Sequence, residues 1–280
     1  MITLFGIGDA GKNIVSLFSE HKNYKIFTFS SEKNNDSNHT TLLNNIAEEA
    51  CEDKCPDLAG MAPLVSDYIQ VFLCGSSFSA NYTLSILSYF KDKKIDIFYI
   101  KPDADLLNGK KKLQENAIFG VLQEYARSGI FNSFYIISNV ELEHMIGNVP
   151  IKNYFKKLNE SIYFIVHYLN FFLHTRPLVG NYTEPSIIQR IKTIGSVDVS
   201  TMSEKMLYNL DAERDVSYYL CISHDKLEND GTLHQKIIKQ LKQKPKNAFK
   251  NISYSIYESS TKEDFGFCIA HTNATQKNKQ

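Results

Sequence analysis

Apolar side chains recur at Phe155, Leu158, Ile162, Ile165, Leu169 and Phe172, alternating three and four residues apart. That is the spacing of one helical face. From Ile162 onward, Phe164, Val166, Tyr168 and Phe171 fill much of the opposite face. A helix apolar nearly all round is a buried one, so the pattern predicts a core helix over 153–175 with something packed on either side. Arg176-Pro177 ends it, because proline lacks a backbone donor and disfavours helix in the residue before it. At roughly 1.5 Å per residue it is about 35 Å long. Its modest length, with Glu160, His167 and Asn170 along it, argues for a soluble core rather than a membrane span. His167 and His174 read as satisfied core groups.

Before this helix, strand-like runs alternate with helical ones. Ile2 to Phe5, Lys25 to Phe29, Tyr68 to Cys74, Ile95 to Ile100 and Phe134 to Ile137 read as strands. Helical patterns follow Gly11, run to Phe90 and extend from Lys110 to Tyr125. Such alternation implies parallel pairing and an α/β sheet with helices on both faces. The polar run Lys33 to Asn38 reads as a loop. After Pro177 the pattern changes. Helix is predicted over 187–194 and 203–210, with Gly195 to Val199 a loop or short strand. Then come a strand at Tyr218 to Ile222, a helix around Leu233 to Leu241, and strands Ser253 to Tyr257 and Phe265 to His271. The last two are expected to be hairpin-linked through Ser259-Ser260-Thr261-Lys262, in a smaller α+β unit. The tail from Thr272 to Gln280 is polar and expected to fray. The division is therefore 1–150 as a nucleotide-binding-like α/β domain, 151–177 as the central helix and 178–280 as the α+β domain.

Composition changes this picture little. Lys plus Arg number 31 and Asp plus Glu 31, so no global field draws the chain to nucleic acid or an anionic membrane. No secretion signal is seen, and the 5 cysteines fit a reducing compartment, so a cytoplasmic location is expected. Cys51-x-x-x-Cys55 has no second pair or nearby histidine to make a zinc site, and no metal is expected.

The candidate chemistry begins at the N-terminus. Gly6-Ile7-Gly8-Asp9-Ala10-Gly11-Lys12-Asn13 joins the first strand to the first helix, where glycines admit close backbone approach and free amides favour phosphate. Glu32 follows the second strand, about where a ribose-binding acid sits in a dinucleotide site. A ligand of such a sheet lies beyond the carboxyl ends of its strands.

The order of elements, with four stretches in sequence, resembles the tubulin/FtsZ superfamily along almost the whole chain. The glycine loop through Asn13 resembles that family's first nucleotide loop. Lys101-Pro102 with Asn108-Gly109-Lys110-Lys111-Lys112 resembles its ribose-side segment. Ile136-Ile137-Ser138-Asn139 resembles the strand end whose asparagine contacts guanine. Tyr154 to Glu160, with Asn159, resembles the head of its central helix. The resemblance implies GTP or GDP as ligand, with Gly8, Asp9, Ala10, Gly11, Asn13, Gly75, Ser76, Asn108, Lys112, Asn139 and Asn159 around it. It also implies self-association or a protein assembly partner.

Departures from the pattern matter as much. The family's glycine- and threonine-rich phosphate loop reads here Gly75-Ser76-Ser77-Phe78-Ser79-Ala80-Asn81, with Phe78 expected where backbone should approach phosphate. The third phosphate loop is reduced to Ala59-Gly60-Met61-Ala62-Pro63. The acidic loop after the central helix, which in the family reaches the next subunit's nucleotide, is matched to 196–201, leaving Asp198 as catalytic candidate and Thr201 in place of the second acid. A second reading of Asp198, on equal footing, is the cap of a helix beginning near Ser200. The expectation is an assembly or structural protein with weak or lost nucleotide binding and little GTPase activity. An active GTP-dependent filament-forming GTPase and a dinucleotide-dependent oxidoreductase of the Rossmann type are the alternatives. No catalytic His–Asp or Tyr–Lys set supports the last. The Asn-, Lys- and Ile-rich composition suggests an AT-rich genome, bacterial, viral or plasmid-borne, so that host cytoplasm or a virion would be the setting if phage-encoded. The acidic C-terminal peptide that FtsZ uses to recruit membrane partners is not seen.

Overall fold

The computed structural model describes residues 1–244, 251–259 and 262–277. In its first half, β1 (Ile2–Ile7), β2 (Tyr24–Ser30), β3 (His39–Thr41), β4 (Tyr68–Cys74), β5 (Lys94–Lys101) and β6 (Ser133–Ser138) all pair in parallel. They alternate with α1 (Gly8–Ser16), α2 (Thr83–Ser88), α3 (Gly109–Arg127) and α4 (Asn139–Ile146). The central helix α5 (Tyr154–His174) follows. The second half holds β7 (Val179–Gly180), β8 (Ile191–Val197), β9 (Glu204–Met206), β10 (Asp215–Ser223), α6 (His224–Asn229), α7 (Leu233–Gln243), β11 (Asn251–Ser259) and β12 (Phe265–Thr272). All belong to one 12-stranded sheet ordered β3-β2-β1-β4-β5-β6-β8-β12-β10-β11-β7, with β9 on β8.

The halves meet where β8 lies parallel to β6, Phe134 opposite Ile191. Helix α5 covers this joint. Leu158, Ile162 and Val166 pack with Ile14 of α1, Phe18 just past it and Leu142 of α4, while Phe172 reaches Tyr219, Tyr257 and Phe267 of the second half. A second core lies on the other face of the first half, under α2 and α3, and a third between the second half and α7. Helix α5 runs against the parallel strands. Its head abuts α4, and Asn170 near its tail bonds Tyr24 at the start of β2.

Several sequence expectations are corrected. The run 187–194 is not helical, because Ile191–Val197 is strand β8, held between β6 and β12. A strand paired on both sides and covered on both faces loses the alternation that would have marked it. The run 203–210 is not helical either, since Glu204–Met206 folds back on β8 as a hairpin. β11 and β12 are not neighbours, because β10 lies between them, parallel to β11 and antiparallel to β12. Ser260 and Thr261 of their connection lie outside the described residues. The tail does not fray at once: Gln276 is buried, its backbone N–H donating to Gln123 Oε1 at 2.6 Å. Nor is α5 apolar-covered all round, because Phe155, Phe164, Phe171 and Leu173 are exposed. His167 is half-buried against Tyr24 and His21, whereas His174 is exposed. The loop reading of 33–38 missed only the short β3 that follows it. Among the described residues no helix is long and apolar enough to cross a membrane.

Candidate functional site

Strand β1 passes into α1 with almost no loop. Gly8 is the first helical residue at φ +73°, a conformation that L side chains rarely adopt, and Ile7 supplies no side-chain cap. The first amides of α1 are therefore left without a side-chain partner at the carboxyl end of the sheet. A Cβ on Gly8 would stand 2.5 Å from Ser77 Oγ, so the turn touches the loop after β4. Gly6 and Gly11 serve packing: a Cβ on Gly6 would meet the Gly11 carbonyl at 2.7 Å, and Gly11 presses on the Phe72 carbonyl. Asp9 and Asn13 are exposed and Ala10 half-buried.

Lys12 on the next turn pairs with Glu32, which lies past β2. The Lys12 ammonium, by hydrogen bond and by charge, holds the Glu32 carboxyl below its usual range. His39 fixes the same corner, with Nε2 at 2.8 Å from the Glu32 carbonyl and Nδ1 at 2.8 Å from Thr28 Oγ1. The acid expected on a ribose is thus engaged by a cation of α1.

The loop after β4 is tied down from behind. Gln114 of α3 donates through Nε2 to the carbonyls of Gly75 and Ser77, 2.8 Å each. The Ser77 N–H goes to the Cys74 carbonyl, Ser76 Oγ lies 3.3 Å from Cys74 Sγ, and Asn81 Nδ2 bonds the Phe78 carbonyl. Gly75 leaves no room for a side chain because the Tyr99 hydroxyl occupies that space. Phe78 does not take the phosphates' room. It packs with Tyr82 into the core under α2 and α3, ring centroids 6.5 Å apart. Beneath the loop, Lys101 Nζ lies 3.1 Å from Glu115 Oε1, and the Tyr99 hydroxyl donates to the same oxygen at 3.1 Å. The lysine of Lys101-Pro102 is thereby buried and paired.

On the other side, Asn108 caps α3, its side chain accepting from the Lys111 N–H at 3.0 Å. Lys110 pairs with Glu48, and Lys112 is half-buried. Ser138 caps α4, so Asn139 is the first residue of that helix. Asn139 and Asn159 are half-buried at the packed heads of α4 and α5, and neither side chain makes a hydrogen bond among the described residues. Free amides at these places suit the edge of a planar heterocycle.

Asp198 lies elsewhere than its resemblance implied. It accepts from the N–H of Ser200 and of Thr201 and from the Ser200 hydroxyl in a tight turn, and no helix begins there. Those bonds hold its carboxyl below the usual range. The turn follows the carboxyl end of β8, which runs parallel to β6, so it stands at the same end of the sheet as the glycine turn. The segment that actually leaves α5 is 175–190, and Glu184 is its acid. Sequence reading missed the Lys12–Glu32 pair and the Gln114 clamp. Opposite charges at adjacent strand ends could have signalled the first, but nothing local marks the second.

No protein-family model and no curated protein sequence matches the chain. Solved structures do. An FtsZ dimer from M. jannaschii is 14% identical over 97% of this chain and 88% of its own, at TM-score 0.69. A GTPγS-form protofilament of Bacillus thuringiensis serovar israelensis TubZ is 12% identical over 99% and 87%, also at 0.69. CetZ2 from Haloferax volcanii, a GTPγS-bound protofilament, is 10% identical over 96% and 92%, at 0.67.

Proposed function

We propose that this chain, whose fold is that of the tubulin/FtsZ superfamily, is a filament-forming protein that assembles head to tail and holds guanine nucleotide weakly. The observation that carries the assembly reading is the placement of exposed apolar side chains at opposite ends of the sheet. Leu106, Leu113, Ile151 and Phe155 surround the carboxyl-end cleft, Ile151 being 94% exposed. Ile187 and Ile188, 76% and 57% exposed, stand before β8 at the other end. Such patches mark interaction sites, and a contact between two different patches at opposite ends joins copies head to tail, into a filament wherever the rotation between them does not close a ring. The similar structures include protofilaments and a dimer of their own proteins.

Weak nucleotide binding is supported by the state of the cleft. The amides of α1 and the asparagines Asn139 and Asn159 are available, while the Ser77 N–H of the phosphate loop is spent on the Cys74 carbonyl and Lys12 is held by Glu32. Hydrolysis is expected to be slow, because the segment leaving α5 offers Glu184 alone to orient water at a neighbour's nucleotide.

Sedimentation and electron microscopy test the assembly. Ile151→Glu and Ile187→Glu should each abolish polymers, and a mixture of the two should stop at dimers, since each variant keeps one intact end. A wild type that stays monomeric at high concentration with GTP and magnesium would overturn the reading.

A further inference from the structure

At the end of the sheet opposite the glycine turn, a cavity of about 400 Å3 opens between the start of β4, β5 and β6, the segment 182–190, and β8, β10 and β12. Its size is that of a small-molecule site. His271 of β12 lines it, 4% exposed, with neither ring nitrogen in a well-aligned hydrogen bond, although the Gln189 backbone lies close enough to act on the ring. Gln189 Oε1 is likewise buried without a partner. Buried polar groups are nearly always bonded, so unpaired ones gathered on one cavity call for a ligand.

The charges define that ligand. Lys192 lies over the Tyr135 ring at 5.2 Å and makes no ion pair among the described residues. Burial lowers its pKa, with Lys94 and Arg190 pressing the same way against Asp96 and Glu184. Asp96 accepts from the Tyr68 hydroxyl at 2.7 Å and Asn132 Nδ2 at 2.5 Å, neutral donors that fix its carboxylate without cancelling its charge. Burial and Lys192 push the His271 imidazole well below its usual range, the Gln189 backbone opposing in part. The neutral ring offers one N–H, and around the cavity the cations Lys94, Arg190 and Lys192 outnumber the carboxylates Asp96 and Glu184, with Lys192 nearest His271 in sequence register on the paired strand β8.

We infer that this cavity binds a small organic anion, its carboxylate or phosphate seated against Lys192 and the His271 N–H, with a hydroxyl donated to the Gln189 amide oxygen. The ligand would touch both halves of the sheet at once. Citrate and ribose 5-phosphate serve as probes, titrated without nucleotide against wild type at constant ionic strength. At least one should raise the melting temperature saturably and move the His271 ring resonance along the same curve, and which one does so names the head group. Lys192→Met should weaken that binding about ten- to hundredfold, as expected for one charge-assisted contact. If that variant fails to fold, Lys192→Gln takes its place, and the His271 resonance of wild type stands as an independent readout. No shift with either probe, or equal affinity in the folded Lys192 variant, would overturn the inference.

Discussion

Gln70 on β4 and Asn170 on α5 hold one another by a reciprocal amide pair, 2.7 Å from Gln70 Nε2 to Asn170 Oδ1 and 2.9 Å back. They are 100 residues apart, both are buried, and they pin the central helix to the first-half sheet. Asn170→Ala leaves the Gln70 carbonyl without this donor, and chemical denaturation should show a loss of about 1–3 kcal/mol. The double change to leucine at both positions should lose less than the single one.

The Lys101–Glu115 pair is buried on both sides, Glu115 being 1% exposed. Removing one member of such a pair costs far more than removing both. Glu115→Ala should destabilise by about 3–5 kcal/mol, and Lys101→Met with Glu115→Leu should recover most of it. Equal losses from the single and double changes would contradict this account.

The Lys12–Glu32 pair is of the opposite kind, since Glu32 is exposed. Exposed pairs contribute little to stability, so Glu32→Gln should leave melting unchanged. It frees Lys12 beside the α1 amides, however, and GTP should bind more tightly to the variant. Fluorescent GTP and GDP titrations should give wild-type affinities weaker than micromolar, and a submicromolar value would sink the weak-binding reading.

His167 and His271 make stability depend on pH. Burial is the larger cause of lowering at both, with His21 adding to it at His167 and Lys192 at His271. A lowered folded value means that the unfolded chain binds more protons in the window between the two. Their contribution is therefore complete above the ordinary imidazole value of 6.5 and is lost as pH falls below it, through the folded values. Melting followed from pH 7.5 downward should show this decline, flattened in a His167→Gln, His271→Gln variant.

Phosphate release at high protein concentration with magnesium should be slow. Asp198→Ala and Thr201→Asp should leave it unchanged, because their turn stands at the glycine-turn end of the sheet. Glu184→Ala should abolish the residue of activity, on the scale of about 10²–10⁴ that general-base groups supply. A gain on Thr201→Asp would return catalysis to that turn.

Much of this arrangement was legible because its signals are local. The helix from Tyr154 to His174 follows from a three–four apolar repeat, and the parallel first half from apolar runs divided by helices. β8 was hidden because residues such as Thr193 and Gly195 are buried in the sheet without alternating, and Ile187 and Ile188 before it mimic a helical run. At the candidate site, position in a motif is what marks Gly8 and Asn139 as candidates. The Gln114 clamp and the cavity around His271 depend on residues brought together across long stretches of chain, which no spacing reveals.

The sheet ends on short strands at both margins. Its outer strands are β3, 3 residues long, and β7, 2 residues long. Each is too short to template a strand of another chain by itself, and each covers only part of the strand behind it, Thr28 to Ser30 of β2 and Ser255 and Ile256 of β11. Copies joined head to tail as proposed meet where strands begin and where they finish, and those two faces are unlike. Any polymer built this way has a direction, and its two tips differ chemically from the first subunit onward.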